Sequence, residues 1–185
     1  MTRPLLLMAL ALGGSFARAD EAKIKGVDSV ALSVEPAEAK PGQTVVVKLT
    51  VKLQAGFHTY PLVQPDEAAK SMVNKIEWPK PEGLVFVGEA FDPADPKEKA
   101  EPLLGIEKLQ YFTGTVVFER KAVVSPLAKA GDGKVALPKF LLSVCDKDSC
   151  FPAKKLAPEA AFKVLDGKVE IEKAFAAEVE KALKK

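Results

Sequence analysis

Apolar and polar residues alternate along most of this chain, the two-residue period of a strand with one buried face. From Ser29 the run "SVALSVEP" and at 44–53 the run "TVVVKLTVKL" are valine-rich, with the turn signal "KPGQ" between them. That combination predicts an antiparallel pair. Further runs, "NKIEWP", "GLVFVGEAF", "QYFTGTVVFERKAVV", "KVALPKFLLSV" and "AAFKVLDG", are bounded by Pro or Gly, and "AGDG" at 130–133 reads as a hairpin turn. Seven or more short strands in a chain of this length predict an all-β fold, an immunoglobulin-like β-sandwich. The period then changes. In "VEIEKAFAAEVEKALKK" the residues Ile171, Phe175, Val179 and Leu183 fall at helical spacing, with lysines at the end the helix dipole favours. This predicts a C-terminal amphipathic α-helix packed on the sandwich.

One stretch has neither period. "DPADPKEKAEPLLGIEK" at 92–108 is rich in proline and charge yet carries the apolar pair Leu103 and Leu104. A loop this long inside a compact domain reads either as a lid or as a disordered insertion.

The first residues set the compartment. "MTRPLLLMALALGGSFARA" has a positive start, an apolar run and a small-residue exit, the pattern of a secretory signal peptide cleaved after Ala19. The apolar run is shorter than the roughly 20 residues of a membrane span. The expected organisation is a signal peptide at 1–19, a linker at 20–27, one domain at 28–165 and the helix at 166–185, with the mature protein in the periplasm or otherwise exported. Loss of Arg3 and Arg18 leaves 25 basic against 25 acidic residues. Interspersed charges with no basic stripe exclude a nucleic-acid partner. About 165 residues bury a core without help from a disulfide.

Compartment matters because the chain has two cysteines, Cys145 and Cys150, in "SVCDKDSCFPAKKL". The disulfide of an immunoglobulin domain joins distant strands. This pair is local, and on the loop-entropy model a ring so small contributes about 2 kcal/mol, the low end for natural bridges. Zinc requires four ligands, and besides the thiols there is one histidine, His58, with carboxylates such as Asp146 and Asp148. Soft ligands suit monovalent copper, so Cys145 and Cys150 with His58 or Met72 stand as a copper alternative. "DKDS" fails as a calcium loop, lacking the glycine and the distal glutamate. No phosphate loop, nucleophile elbow or paired-histidine motif is present. Thiol-disulfide exchange is the chemistry these residues best support, with no cofactor and no metal; a non-catalytic binding module with a structural disulfide is the rival reading. Lys147, Lys154 and Lys155 favour thiolate while Asp146 and Asp148 oppose it, so the expected thiols are weakly activated, as suits a carrier.

Three segments together resemble the N-terminal periplasmic domain of the thiol:disulfide interchange protein DsbD: "CDKDSCFP" as a cysteine pair followed by aromatic-Pro, "AGFHTYP" as the Gly-aromatic-x-x-Tyr segment, and "EPLLG" at the cap-loop position. The resemblance covers roughly residues 28 to 165. It implies an immunoglobulin-like domain that takes electrons from a thioredoxin-fold protein or a membrane-embedded reductase and passes them to oxidised periplasmic proteins. It further implies Cys150 as the exchanging sulfur, Cys145 as the resolving one, Leu103 and Leu104 as a cap over the pair, and Phe57, His58, Tyr60, Phe151 and Pro152 as its surround. The chain departs from the pattern in having one residue fewer between its cysteines and leucine where the cap carries an aromatic. These 185 residues also hold neither the membrane domain nor the thioredoxin-like domain to which the family's domain is fused.

Overall fold

The structure, a computed structural model, describes residues 24–184. The signal peptide expected at 1–19 and residues 20–23 of the linker lie outside the described residues. In chain order the strands are β1 (Val27–Glu35), β2 (Glu38–Ala39), β3 (Thr44–Leu53), β4 (His58–Thr59), β5 (Lys75–Glu77), β6 (Leu84–Phe91) and β7 (Lys97–Glu101). They continue as β8 (Ile106–Tyr111), β9 (Thr115–Val124), β10 (Gly131–Ala136), β11 (Lys139–Leu142), β12 (Val144–Cys145), β13 (Lys154–Leu156) and β14 (Glu159–Val164), followed by one helix, α1 (Lys173–Leu183).

The long alternating runs form the main sheet, ordered β1-β3-β9-β6 with antiparallel neighbours throughout. Along β3 the residues Val45, Val47, Leu49 and Val51 point inward and are buried, while Lys48 and Lys52 point to the other face. Full burial of each such valine or leucine contributes about 1.5–3 kcal/mol. Against this face lie two smaller sheets, β10-β14-β2 and β13-β11-β5, which supply Val135, Phe140 and Phe162 to the same core, joined by Leu137 from the β10-β11 connection. Phe118 of β9 meets Phe140 of β11 across it at 6.2 Å between ring centres. The chain is thus the all-β sandwich with a C-terminal helix that the pattern predicts.

The helix has a defined seat. Val85, Val87 and Val123 face outward from β6 and β9, where no second sheet covers them, and Val179 of α1 packs there with Ile171, Phe175 and Leu183. Its dry stripe is the predicted one, although α1 itself begins only at Lys173, so Ile171 reaches the patch from the preceding segment. No helix among the described residues is long and apolar enough to cross a membrane.

Two local expectations are corrected. "AGDG" is not a hairpin turn: Gly131 and Gly133 belong to β10, paired with β14 rather than with the preceding β9. The physical reason is the ring of Phe162, which lies where a Cβ on Gly133 would sit, 2.7 Å away, so the glycine makes room for a core aromatic rather than for a turn. The stretch 92–108 is neither a structureless loop nor a disordered insertion. It contributes the hairpin β7-β8, closed by a 3-10 turn over Pro102–Leu104 with Gly105 at φ 67°, a left-handed position that glycine accepts freely.

Candidate functional site

The cysteines close a tight turn at the end of β12. Phe151 N–H donates to the Val144 carbonyl (2.9 Å), Asp146 N–H donates to the Ser149 carbonyl (2.9 Å), and the Asp146 carboxylate accepts from the N–H groups of Asp148 and Ser149 (2.8 Å each). Those backbone donors hold the Asp146 carboxyl below its usual range. Cys145 and Cys150 face each other as an antiparallel bridge and are joined by a disulfide, with 4.0 Å between their Cα atoms. Their environments differ: Cys145 is 1% exposed, whereas Cys150 is open to solvent.

β12 pairs with β4, setting Cys145 opposite His58 and Val144 opposite Thr59. Because side chains two apart share a face, Tyr60 follows His58 on the side of the sulfurs. Its hydroxyl lies 3.2 Å from Cys145 Sγ and 3.3 Å from Cys150 Sγ. Sulfurs in a disulfide carry no hydrogen, so the phenol donates. Burial, and secondarily the Glu101 carboxylate, push the Tyr60 pKa up and keep that donor protonated.

A buried polar hub fixes this register. The Asn74 amide donates to the Thr59 hydroxyl (2.9 Å) and the Tyr60 carbonyl (2.6 Å), its oxygen accepts from Ser143 N–H (2.9 Å), and the Thr59 hydroxyl donates to the Ser143 carbonyl (2.6 Å). Asn74 thereby ties the strand bearing Tyr60 to the one bearing Cys145. Leaving any member of so buried a network unpaired costs about 1–3 kcal/mol.

The cover over Cys145 comes from the β7-β8 hairpin, but through Ile106 and Leu109, which bury with Tyr60, Ala69 and Cys145, flanked by Met72 and Tyr111. The hairpin is tethered by side chains that act as a surrogate strand. Gln64 both accepts from Gln110 N–H (3.0 Å) and donates to its carbonyl (2.9 Å), and Asp66 accepts from the N–H groups of Glu107 (2.9 Å) and Lys108 (3.2 Å). Leu103 and Leu104, expected as the cap, sit at the hairpin tip instead. Leu103 is fully exposed and Leu104 is 58% exposed. The 3-10 turn and Gly105 direct them outward, and the register shift between Lys99 and Glu101 gives β8 its three-residue spacing of inward residues, Ile106 and Leu109.

The remaining expected residues flank the pair. Phe57 and Phe151 lie 6.1 Å apart between ring centres, with the Lys25 ammonium 4.2 Å from the Phe151 centre, and exposed Pro152 borders the same small hollow. His58 is buried, edge-on to Tyr60 (5.7 Å) and Tyr111 (5.2 Å). Burial, and then the Lys99 charge, hold its pKa below 6.5, only partly offset by Asp146 and Glu101. Met72 serves as apolar filling against Cys145, and among the described residues no group of three or more His, Cys, Asp or Glu side chains is placed to hold a metal. The sequence pattern does not single out Asn74, Ile106, Leu109 or Tyr111 as site residues; a polar residue opening the run "NKIEWP" is the one signal toward any of them.

No protein-family model matches the chain, and no curated protein does. Among solved structures, the N-terminal periplasmic domain of ScsB from Proteus mirabilis is similar at 17% identity and a TM-score of 0.44, over 80% of this chain and 50% of that one. A family 123 glycoside hydrolase from Clostridium perfringens is similar at 16% identity and a TM-score of 0.27, over 71% of this chain and 22% of that one. The chain thus spans half the length of the first and about a fifth of the second. At these scores neither likeness bears on the chemistry of the site.

Proposed function

We propose that Cys145 and Cys150 are a redox-active pair through which this protein exchanges disulfides with exported thiol proteins. The observation that carries this reading is the buried Tyr60 hydroxyl aimed at both sulfurs. A disulfide sulfur is a weak acceptor, whereas a thiolate is a strong one, so a fixed donor at this place favours the reduced, ionised form over the oxidised one. A bridge that only staples the turn has no use for it. The turn already has its own hydrogen bonds, and the loop-entropy gain is about 2 kcal/mol.

The exposure of Cys150 beside the burial of Cys145 supports Cys150 as the exchanging sulfur. A partner thiolate attacks exposed Cys150 Sγ, the Cys145–Cys150 bond breaks, and its electron pair leaves on Cys145, whose thiolate accepts from Tyr60. A second partner thiolate then attacks the partner sulfur of the mixed disulfide. The partner departs oxidised, Cys150 leaves as thiolate, and protons from solvent complete the dithiol. Run in reverse, Cys150 opens an oxidised partner's disulfide and Cys145 resolves the adduct. A thioredoxin-fold protein or membrane-embedded reductase is the donor class that the DsbD resemblance implies, with oxidised periplasmic proteins as acceptors.

A redox titration in glutathione or dithiothreitol buffers tests the proposal. The expected midpoint lies above about −300 mV; a value well below it marks a structural bridge and leaves the binding-module reading in its place.

A further inference from the structure

His58 stands in the wall of the sulfur site with its hydrogen bonding incomplete. It is 8% exposed, its Nε2 is sealed from solvent, and that atom has no hydrogen-bond partner among the described residues. Buried polar atoms are nearly always paired, and an exception calls for a chemical role. Since solvent does not reach Nε2, any partner is a group of the protein itself. The β4-β12 register sets His58 directly opposite Cys145. The Cβ atoms of directly opposite residues lie about 4.5–5.5 Å apart, with both side chains on one face of the ladder. While Cys145 Sγ is bonded to Cys150 it carries no hydrogen and is only a weak acceptor.

Reduction changes what stands opposite the imidazole. Breaking the S–S bond frees the Cys145 side chain to rotate and leaves a thiolate at a position 1% exposed, with the Tyr60 hydroxyl already in place as one donor. A charge so deeply buried calls for an opposite charge as well as a hydrogen bond.

We propose, resting on the exchange reading, that His58 is the proton holder of the reduced pair: its imidazole takes up one proton as the disulfide opens, and Nε2–H donates to the Cys145 thiolate. The step balances. A partner thiolate bonds to Cys150 Sγ, the Cys145–Cys150 bond breaks, and its electron pair stays on Cys145. The second partner thiolate closes the partner's own disulfide and releases Cys150. Two electrons have passed to the pair; of the two protons that the partner's thiols give up to solvent, one is matched on Cys150 and one on His58. The groups facing His58 are the same in both redox states: Lys99 and Glu101 of β7, Asp146 of the cysteine turn, Tyr60 beyond β4 and Tyr111 of β8, with Lys97 and Lys147 lining the hollow outside. Burial, and then Lys99, favour the neutral imidazole while the bridge is closed. The charge on Cys145 is what reduction adds to this face.

The test is an NMR pH titration of the His58 ring, the single histidine of the chain, in the full-length protein, oxidised and then opened with an excess of a phosphine reductant. An opposite charge within about 4–6 Å moves a pKa by about 1–3 units, so the His58 pKa should rise by about 1 unit or more on reduction. In Cys145→Ser no thiolate forms opposite the ring, and His58 should keep the value of the oxidised parent. In reduced His58→Gln, which retains an amide donor but holds no proton, the lower thiol pKa should rise by about 1 unit or more, read by thiolate absorbance. Equal His58 values in the two redox states of the parent protein overturn the proposal, and so does a rise that survives in Cys145→Ser. If His58→Gln does not fold, the parent and Cys145→Ser titrations decide by themselves. The phosphine opens a structural bridge as well as a cycling one, so a failed redox titration and a failed His58 titration remain separate results.

Discussion

Replacing Tyr60 by Phe removes one oxygen from the site and leaves the ring in place. The ring is 4% exposed and packed beneath Ile106 and Leu109, so the variant keeps its volume and its contacts. What it loses is the donor at 3.2 and 3.3 Å from the two sulfurs. In the oxidised protein that contact is neutral and weak, and its loss costs about 0.5–1.5 kcal/mol. In the reduced, ionised protein the same hydroxyl donates to a thiolate, where hydrogen bonds to charged groups contribute about 1.5–3 kcal/mol. The difference falls on the thiolate. The lower of the two thiol pKa values should rise by about 1 unit, the difference of about 1–1.5 kcal/mol taken at 1.36 kcal/mol per unit. Above that pKa the midpoint potential should become more negative by about 20–30 mV, because the reduced form loses about 1–1.5 kcal/mol more than the oxidised form does. Thiolate absorbance in the ultraviolet, followed against pH, reads the first quantity, and glutathione titrations at two pH values read the second. A thiolate pKa and a midpoint both equal to those of the parent protein, with the fold intact, would refute the role given to the hydroxyl.

Cys145→Ser should trap a partner as a stable adduct through Cys150, seen as a non-reducing gel shift; recovery of the adduct mainly from Cys150→Ser reverses the roles. Leu103→Ser with Leu104→Ser should leave both the thermal midpoint and the rate of reduction by a small thiol near parent values, since both side chains already face solvent. Ile106→Ala, by contrast, should cost about 2–5 kcal/mol in denaturant unfolding and speed reduction by uncovering Cys145; equal behaviour of the two variants would remove the hairpin from the protection of the pair. His58 has a folded pKa below its unfolded value, so the unfolded chain binds more protons between the two and stability should fall as pH drops from about 6.5 through that window. The slope should flatten in His58→Gln, as measured by denaturant midpoints between pH 7.5 and 5; an identical slope means that other groups carry it. Asp92, whose pKa burial raises, acts with the opposite sign at more acid pH and is common to both proteins.

Local rules carry only local information, and the site shows where they stop. The period of two in 44–53 specifies β3 because every second residue must leave water, and the period of 3.6 around Val179 specifies α1 for the same reason. Four residues between the two cysteines make any bridge between them a local one by chain length alone, and that bridge is present. The amino-acid sequence by itself therefore determined the all-β class, the closing helix and the locality of any bridge between Cys145 and Cys150. Only the tertiary structure decided what surrounds the sulfurs. Tyr60 reaches them across 85 and 90 residues of sequence, and Asn74 joins Thr59 to Ser143 across 15 and 69. The β7-β8 hairpin reads as loop because its strands are charged on their exposed positions and its inward residues, Ile106 and Leu109, are three apart. Leu103 and Leu104 read as a cap because apolarity suggests burial, yet the turn that carries them points them into solvent. Gly133 reads as a turn until the ring of Phe162 is seen filling the space of its missing side chain. Apart from the turn that carries Leu103 and Leu104, the deciding partner lies far away in sequence, and a residue's own neighbours hold no record of it.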